Sequence, residues 1–313
     1  MYHDVIIVGG GPAGLSAALI LGRCLRRVVI IDDQRPRNAA ARRIHNILTR
    51  DGVRPMRFRK LARAELARYG VKMRRARVVA ARRLQHYDSA NSARQADRTR
   101  QAFEVRLATA KKLRARKLLL ATGVRDILPK IPGAKQFYGA GLHHCPYCDA
   151  WNYRGKRLIA LGKGMKAVRL AFGLRVWSRA VTACTNGTDL SRASQARLIR
   201  AGITWKRERP IALEGSHHRL NAVRFETGER LSCDAIFFNT EQVQHSDLPN
   251  ALGCKFDSKG GVRIDGRGRT GVQGLFLAGD AQRDVQFVVN AIADGARAAL
   301  AINSELQAED LGQ

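Results

Sequence analysis

Cys145 and Cys148 stand two residues apart in the run His143-His144-Cys145-Pro146-Tyr147-Cys148-Asp149. Two thiols at this spacing can close into a disulfide. One thiolate then attacks a partner disulfide while the other resolves the mixed species, and one thiol of such a pair is usually acidified. Zinc binding would need two further ligands at suitable spacing. His143 and His144 lie too close to the pair to complete such a set, and no second Cys-x-x-Cys exists, so no metal is expected. Asp149 is positioned to move the proton that thiol exchange gains or loses, with a helix N-cap as its purely structural alternative. His143 and His144 are candidates for lowering a thiol pKa or, more plainly, loop histidines. Cys24, Cys184, Cys233 and Cys254 are scattered and read as inert packing residues of a protein in a reducing compartment.

A redox dithiol needs an electron carrier, and the chain begins with a place for one. Val5-Ile6-Ile7-Val8 is a β-branched apolar run, the signature of a buried parallel strand. Gly9-x-Gly11-x-x-Gly14 follows at once, with Pro12 and Ala13 inside it, and Ala13 to Leu21 reads as a helix. Strand, glycine turn and helix together make a dinucleotide fingerprint: Gly9 for the tight turn, Gly11 for approach to a pyrophosphate, Gly14 for helix–strand contact. A second strand, Val28 to Ile31, ends in Asp32-Asp33, where an acid suits ribose hydroxyls; Asp32 is the first choice and Asp33 the second. Near the other end, Gly274 to Asp280 reads as a short strand closing in Gly279-Asp280, then a helix to about Leu306. This ending fits FAD better than a plain NAD site.

Leu118-Leu119-Leu120 is another buried strand, and Ala121-Thr122-Gly123 reads as a crossing point between domains. Leu158 to Leu161 then leads into a second turn, Gly162-x-Gly164-x-x-Ala167, and a further helix. The expected layout is one FAD domain from residues 1–117 and 246–313, interrupted by an inserted domain, 118–245, that carries the cysteine pair. The polar stretch from Ser89 to Gln101 reads as a hairpin tip.

The 313 residues are 45% hydrophobic and 26% charged, which excludes disorder and a disulfide-stapled miniprotein. The net charge of +30 is concentrated: Arg35 to Lys117 holds 26 Lys or Arg against 5 Asp or Glu. Its plainest account is arginine spread over solvated faces. An anionic membrane surface or an acidic protein partner is the alternative. Nucleic acid is not expected, because aromatics are only 6% and do not interleave with the basic residues. With no leader pattern and no apolar run near the ~18 residues of a spanning helix, a cytoplasmic place is expected, peripheral to the membrane if the basic face docks there.

Taken together, glycine fingerprint, Ala-Thr-Gly, Cys-x-x-Cys-Asp, second glycine turn and Ala-Gly-Asp resemble the low-molecular-weight thioredoxin reductase-like FAD-dependent disulfide oxidoreductases, over the whole chain. The resemblance implies an α/β fold of two Rossmann-like three-layer domains, the second inserted into the first and able to rotate against it. It also implies a homodimer and one non-covalent FAD held by Gly9, Gly11, Pro12, Ala13, Gly14, Asp32, Asp33, Asn46, Ala121, Thr122, Gly123, Gly279 and Asp280. Cys148 would face the flavin, Cys145 would meet the substrate, and Asp149 would shuttle the proton. Gly162, Gly164 and Ala167 would form the second nucleotide turn.

Departures from the family pattern shift the expected chemistry. NADPH-dependent members end the second strand of the inserted domain in arginines for the 2′-phosphate. Here Val181-Thr182-Ala183-Cys184-Thr185-Asn186-Gly187 carries none, and no acid replaces them, although Lys163 and Lys166 flank the turn. Arg35-Pro36-Arg37-Asn38 stands where Gly-Gly-Gln is usual, and Phe287-Val288-Val289 where Arg-Gln-Ala is usual. NADPH is therefore doubtful as electron donor, and the second turn is left for another dinucleotide or for nothing. The leading expectation is an enzyme that oxidises a dithiol, protein or small molecule, and passes electrons through FAD to oxygen or another acceptor. The rivals are an NADPH-dependent thioredoxin reductase and a flavin-bearing sensor that docks on a membrane or partner.

Overall fold

A computed structural model describes residues 2–84, 102–217 and 219–312. The hairpin expected at 89–101 lies outside them. The chain opens with β1 (Tyr2–Val8), the glycine turn, α1 (Pro12–Arg23) and β2 (Val28–Asp32). Then come α2 (Pro55–Ala67), β3 (Lys72–Arg75), β4 (Val78–Leu84), β5 (Ala102–Leu107) and β6 (Lys112–Leu120). Val5, Ile6 and Ile7 are fully buried, as their apolar run demands: a strand covered on both faces has no side to give to water. The sheet order is β3-β2-β1-β6-β5-β4, parallel through β6 and antiparallel beyond it.

β6 is the long central strand. Its C-terminal half pairs with β1 on one side and with β17 (Leu275–Leu277) on the other. The boundary drawn at 117/118 thus falls inside β6, and Leu118–Leu120 belong to this first sheet. The chain leaves it through β7 (Val124–Ile127) and returns through β16 (Glu241–Gln244), which pair antiparallel.

Between them the chain forms α3 (Ala134–Phe137), β8 (Leu142–His143), α4 (Pro146–Asp149), β9 (Leu158–Leu161), α5 (Met165–Leu174), β10 (Val181–Cys184), α6 (Arg192–Arg200) and β11 (Thr204–Lys206). A meander of β12 (Pro210–Ser216), β13 (Arg219–Phe225) and β14 (Arg230–Ser232) follows, then β15 (Ala235–Phe238). The second parallel sheet runs β11-β10-β9-β15-β8. One face packs against α5 and α6 through Val168, Ala171, Leu174 and Leu198, and the other against the meander through Leu213, Val223 and Phe225. Cys184 and Cys233 are buried in this core, and burial pushes both thiols up, which makes them inert; Cys24, expected as a packing residue, is exposed instead, just past the end of α1.

After β16 a short turn, α7 (Leu248–Ala251), precedes β17. The terminal helix differs from expectation at both ends. A 3-10 turn over Asp280–Gln282 comes first, and α8 spans Val288–Leu311. Its C-terminal end is held by two basic residues of β6: Arg116 bonds Glu309 (2.7 Å) and Asp310 (2.6 Å), and Lys117 bonds Glu305 (2.9 Å). Part of the basic segment is therefore spent inside the fold. Among the described residues no helix is long and apolar enough to cross a membrane, and no cluster of His, Cys, Asp or Glu is placed to hold a metal.

Candidate active site

The C-terminal ends of β1, β2 and β6 open onto a cavity of about 540 Å3, as expected for the crevice at the carboxyl ends of parallel strands. The glycine turn forms its floor. Gly9 has φ +109°, and a Cβ there would lie 2.2 Å from the Ala121 carbonyl oxygen. A Cβ on Gly14 would lie 2.0 Å from the Gly9 carbonyl, which is the close helix–strand approach foreseen for it. Gly11 faces open space. Gly9, Gly11, Pro12, Ala13, Asp32, Asp33, Ala121, Thr122, Gly123, Gly279 and Asp280 all line the cavity. Asn46 does not: its φ is +65° and its amide donates to the Tyr147 carbonyl at 3.1 Å, so it braces the cysteine loop instead.

Two features were invisible in the sequence. Asp32 is gripped by Arg59 and by Arg63 (3.2 Å) from α2, and Arg59 is buried and lines the cavity. Among the described residues the Arg59 Nε and Nη1 and the Thr122 Oγ1 are buried without hydrogen-bond partners. Buried polar atoms left unpaired are costly, so these atoms mark where a polar ligand would bond.

The Cys145–Cys148 pair is a disulfide, and both cysteines and Asp149 line this same cavity. The sulfurs sit where β8 passes into α4: Pro146 occupies the first helical position, and the Cys148 N–H donates to Cys145 Sγ at 3.2 Å. That amide stabilises a thiolate on Cys145 as well as it stabilises the disulfide. His143 Nδ1 lies 3.4 Å from Asp149 Oδ2, and its Nε2 lies 3.2 Å from the Tyr153 hydroxyl. Burial, then the Asp149 charge, pushes the Tyr153 phenol up, so it stays protonated. His144 is held separately, by Tyr138 (3.0 Å) and Arg37 (3.3 Å), and burial lowers its pKa. Arg37 also bonds Asp280 at 2.9 Å.

The second glycine turn lies outside the cavity lining. A Cβ on Gly162 would lie 2.9 Å from the Ala167 amide nitrogen, and Gly164 opens α5 with φ +55°. The expectation that no arginine stands at the neighbouring loop is corrected. Arg209 packs against Gly187, where a Cβ would lie 2.6 Å from its Nε, and Arg207 pairs with Asp189 at 2.9 Å. Both arginines, like the acid, come from outside the 181–187 run, so a reading of that run alone missed them.

A mixed sheet and a parallel sheet, a glycine cradle and a disulfide facing the cradle's cavity define a nucleotide-binding disulfide oxidoreductase. Residues 3–295 match the pyridine nucleotide-disulphide oxidoreductase family, and the chain belongs to that family. It is 31% identical to a protein of Arthroderma benhamiae named "Probable thioredoxin reductase", over 98% of this chain and 81% of that one. The crystal structure of HlmI superposes with a TM-score of 0.89 at 31% identity, covering 99% of this chain and 94% of that one. An oxidoreductase from Agrobacterium tumefaciens gives 0.87 at 28% identity, covering 98% and 99%. The protein is thus a flavin-dependent, thioredoxin reductase-like enzyme with two Rossmann-type halves. The cavity residues fit FAD: the glycine cradle leaves room for a pyrophosphate, and the unpaired Thr122 and Arg59 atoms are free for it.

Proposed function

We propose that the enzyme oxidises a dithiol at the Cys145–Cys148 disulfide and passes the electron pair to FAD, without drawing on NADPH. The carrying observation is that the disulfide lines the cavity of the first glycine turn. In this reading the unit around the seven-stranded sheet holds FAD through the cavity residues named above, and the unit between β7 and β16 presents the cysteines.

A substrate thiolate attacks Cys145 Sγ, and the Cys145–Cys148 bond breaks. The substrate's second thiolate then breaks the mixed disulfide, and a substrate disulfide leaves. Both enzyme sulfurs are now reduced: two electrons and two protons have been gained. Asp149, backed by His143, holds the proton that the departing sulfur takes up. Bound FAD would supply the two-electron acceptor and pass the pair to oxygen or another acceptor, with hydrogen peroxide as product where oxygen serves.

The absence of NADPH chemistry is supported by the 185–188 loop, which carries no basic side chain of its own, and by the engagement of Arg207 with Asp189. Arg209 favours the second reading, an NADPH-fed thioredoxin reductase. Anaerobic titration separates them. Dithiothreitol is expected to bleach the flavin, whereas NADPH and NADH leave it yellow on the millisecond scale. Fast bleaching by NADPH overturns the proposal.

A further inference from the structure

Arg59 is the buried arginine of α2, and it faces the cavity of the first glycine turn. Its side chain is 4% exposed. One of its three nitrogens, Nη2, is taken by Asp32 Oδ2, which also accepts from Arg63 at 3.2 Å. The other two, Nε and Nη1, are buried and have no partner among the described residues. Burial lowers the Arg59 pKa, and the Asp32 charge does not make up for it. A guanidinium shut away from water with two donor nitrogens idle costs free energy that a ligand's acceptor atoms would recover.

The surroundings say which part of a ligand would lie there. Asp32 ends β2, where an acid meets the ribose of a dinucleotide whose pyrophosphate rests on the glycine turn. Its carboxylate lies against that turn: a Cβ on Gly10 would be 2.9 Å from Oδ2. The Ala76 N–H donates to the Asp32 carbonyl at 3.1 Å, which brings an apolar wall of Ala76, Val78 and Ala80 alongside. Leu248, in one core with Val78, adds to the same lining. Apolar walls next to a few convergent polar groups suit a flat base and its sugar. The redox end of the cavity is marked elsewhere, by the disulfide and by Arg37, which ties His144 to Asp280.

We propose that Arg59 is a binding residue for the adenosine half of FAD, donating from Nε and Nη1 to acceptor atoms there while Asp32 holds its fork in place. A dinucleotide fingerprint ordinarily relies on the acid alone at this end. Here Oδ2 of that acid already carries two guanidinium groups, so Arg59 contributes at least as much to binding as Asp32 does. The inference rests on FAD occupying the first cavity and is independent of the direction of the thiol chemistry.

The probes are FAD and FMN, which lacks the adenosine half, exchanged into the full-length protein. Their dissociation constants are read by flavin fluorescence on serial dilution. The ratio Kd(FMN)/Kd(FAD) measures what adenosine adds, and a general loss of stability would weaken both flavins without changing it. In Arg59→Gln the ratio is expected to fall about tenfold or more, the worth of one hydrogen bond to a charged group. Arg59→Lys, which keeps the cation beside Asp32 but not the planar fork, gives a smaller fall and supplies the answer if Arg59→Gln does not fold. In Arg59→Gln/Asp32→Asn no charge is left unpaired, yet the ratio stays low because the donors are gone. A ratio unchanged in both Arg59 variants overturns the proposal. So does recovery of the wild-type ratio in the double variant, which would reduce Arg59 to a neutraliser of Asp32. A larger fall in Asp32→Asn than in Arg59→Gln also overturns it, by returning recognition to the acid. Failure of the parent reading looks different: the wild type then retains neither flavin.

Discussion

The Arg37 guanidinium holds the Asp126 carboxylate with two hydrogen bonds, Nε to Oδ2 at 2.8 Å and Nη2 to Oδ1 at 2.6 Å. Arg37 follows β2, Asp126 lies on the connecting strand β7, and the pair ties one unit to the crossing. The chain of contacts continues toward the sulfurs. Arginine only donates, so the Arg37 contact makes His144 Nε2 an acceptor. The His144 proton then sits on Nδ1 and is donated to Tyr138 Oη, and the Tyr138 hydroxyl is donated to Asp126. Gln242 on β16 and Gln286 before α8 close the network. This latch ties His144, next to Cys145, to the residues that line the glycine-turn cavity.

Arg37→Gln tests the latch. The Asp126 side chain is 4% exposed, so losing its cation strands a buried charge. Removing one partner of such a pair costs about 3–5 kcal/mol. The loss is expected as a lower midpoint in urea unfolding, and Arg37→Gln/Asp126→Asn should recover part of it. Additive losses in the double variant would show that the two residues are uncoupled.

The same network predicts acid sensitivity. Burial lowers the pKa of His144, with the Arg37 charge adding to it against the Asp126 charge. The unfolded chain therefore binds this proton more readily than the folded one. Stability falls as pH drops below the ordinary histidine value of 6.5 toward the folded pKa. Asp126 acts at lower pH. Burial, the largest single effect, would raise its carboxyl, but the Arg37 hydrogen bonds, the His144 and Arg37 charges and the Gln242 hydrogen bond together outweigh it and lower the carboxyl, so its contribution is lost as pH falls through the folded value. His3, lowered mainly by burial, adds to the upper window. His144→Gln should flatten, without abolishing, the loss of melting temperature between pH 7 and 5.5. An unchanged pH profile would remove His144 from this account.

Chemistry at the sulfurs is tested by single substitutions. Cys145→Ser and Cys148→Ser each abolish turnover. Treated with an aromatic disulfide such as 5,5′-dithiobis(2-nitrobenzoate), Cys148→Ser retains a mixed disulfide on Cys145. Capture by Cys145→Ser instead would reverse the two roles. Asp149→Asn should slow dithiol oxidation by about 10²-fold, within the usual range for a lost acid–base group.

The two sheets were legible because their strands are unbroken apolar runs that leave little choice of environment: Val5–Val8, Leu118–Leu120 and Leu158–Leu161 are all buried. The glycine turns and the cysteine pair were legible because each motif is contiguous. What escaped was assembled from distant segments. Arg59 reaches Asp32 from α2, Arg209 reaches Gly187 from beyond β11, and Arg37 reaches Asp126 across 89 positions. Surplus arginine also hid its own meaning, since nothing local separates the buried Arg59 and Arg116 from their solvated neighbours.

Gly295 belongs to the same class of hidden contact. It lies in the middle of α8, where glycine costs about 1 kcal/mol relative to alanine in helix propensity alone. Alanine should therefore help. Yet a Cβ there would lie 2.1 Å from the Ala13 carbonyl oxygen, inside the turn of α1 that carries the glycine fingerprint. The two helices pack backbone to backbone at this point, with Ala13, Ala17, Ala298 and Ile302 in one core. Gly295→Ala must push α8 away from α1 at Ala13, the residue against which a Cβ on Gly279 would also lie, at 3.0 Å. The expected result is a net loss of stability and weaker FAD retention, read by flavin fluorescence on dilution. Gly173→Ala, in a helix position where a Cβ meets nothing within 4 Å, should be neutral or stabilising. If both variants behave alike, propensity rather than helix contact governs α8.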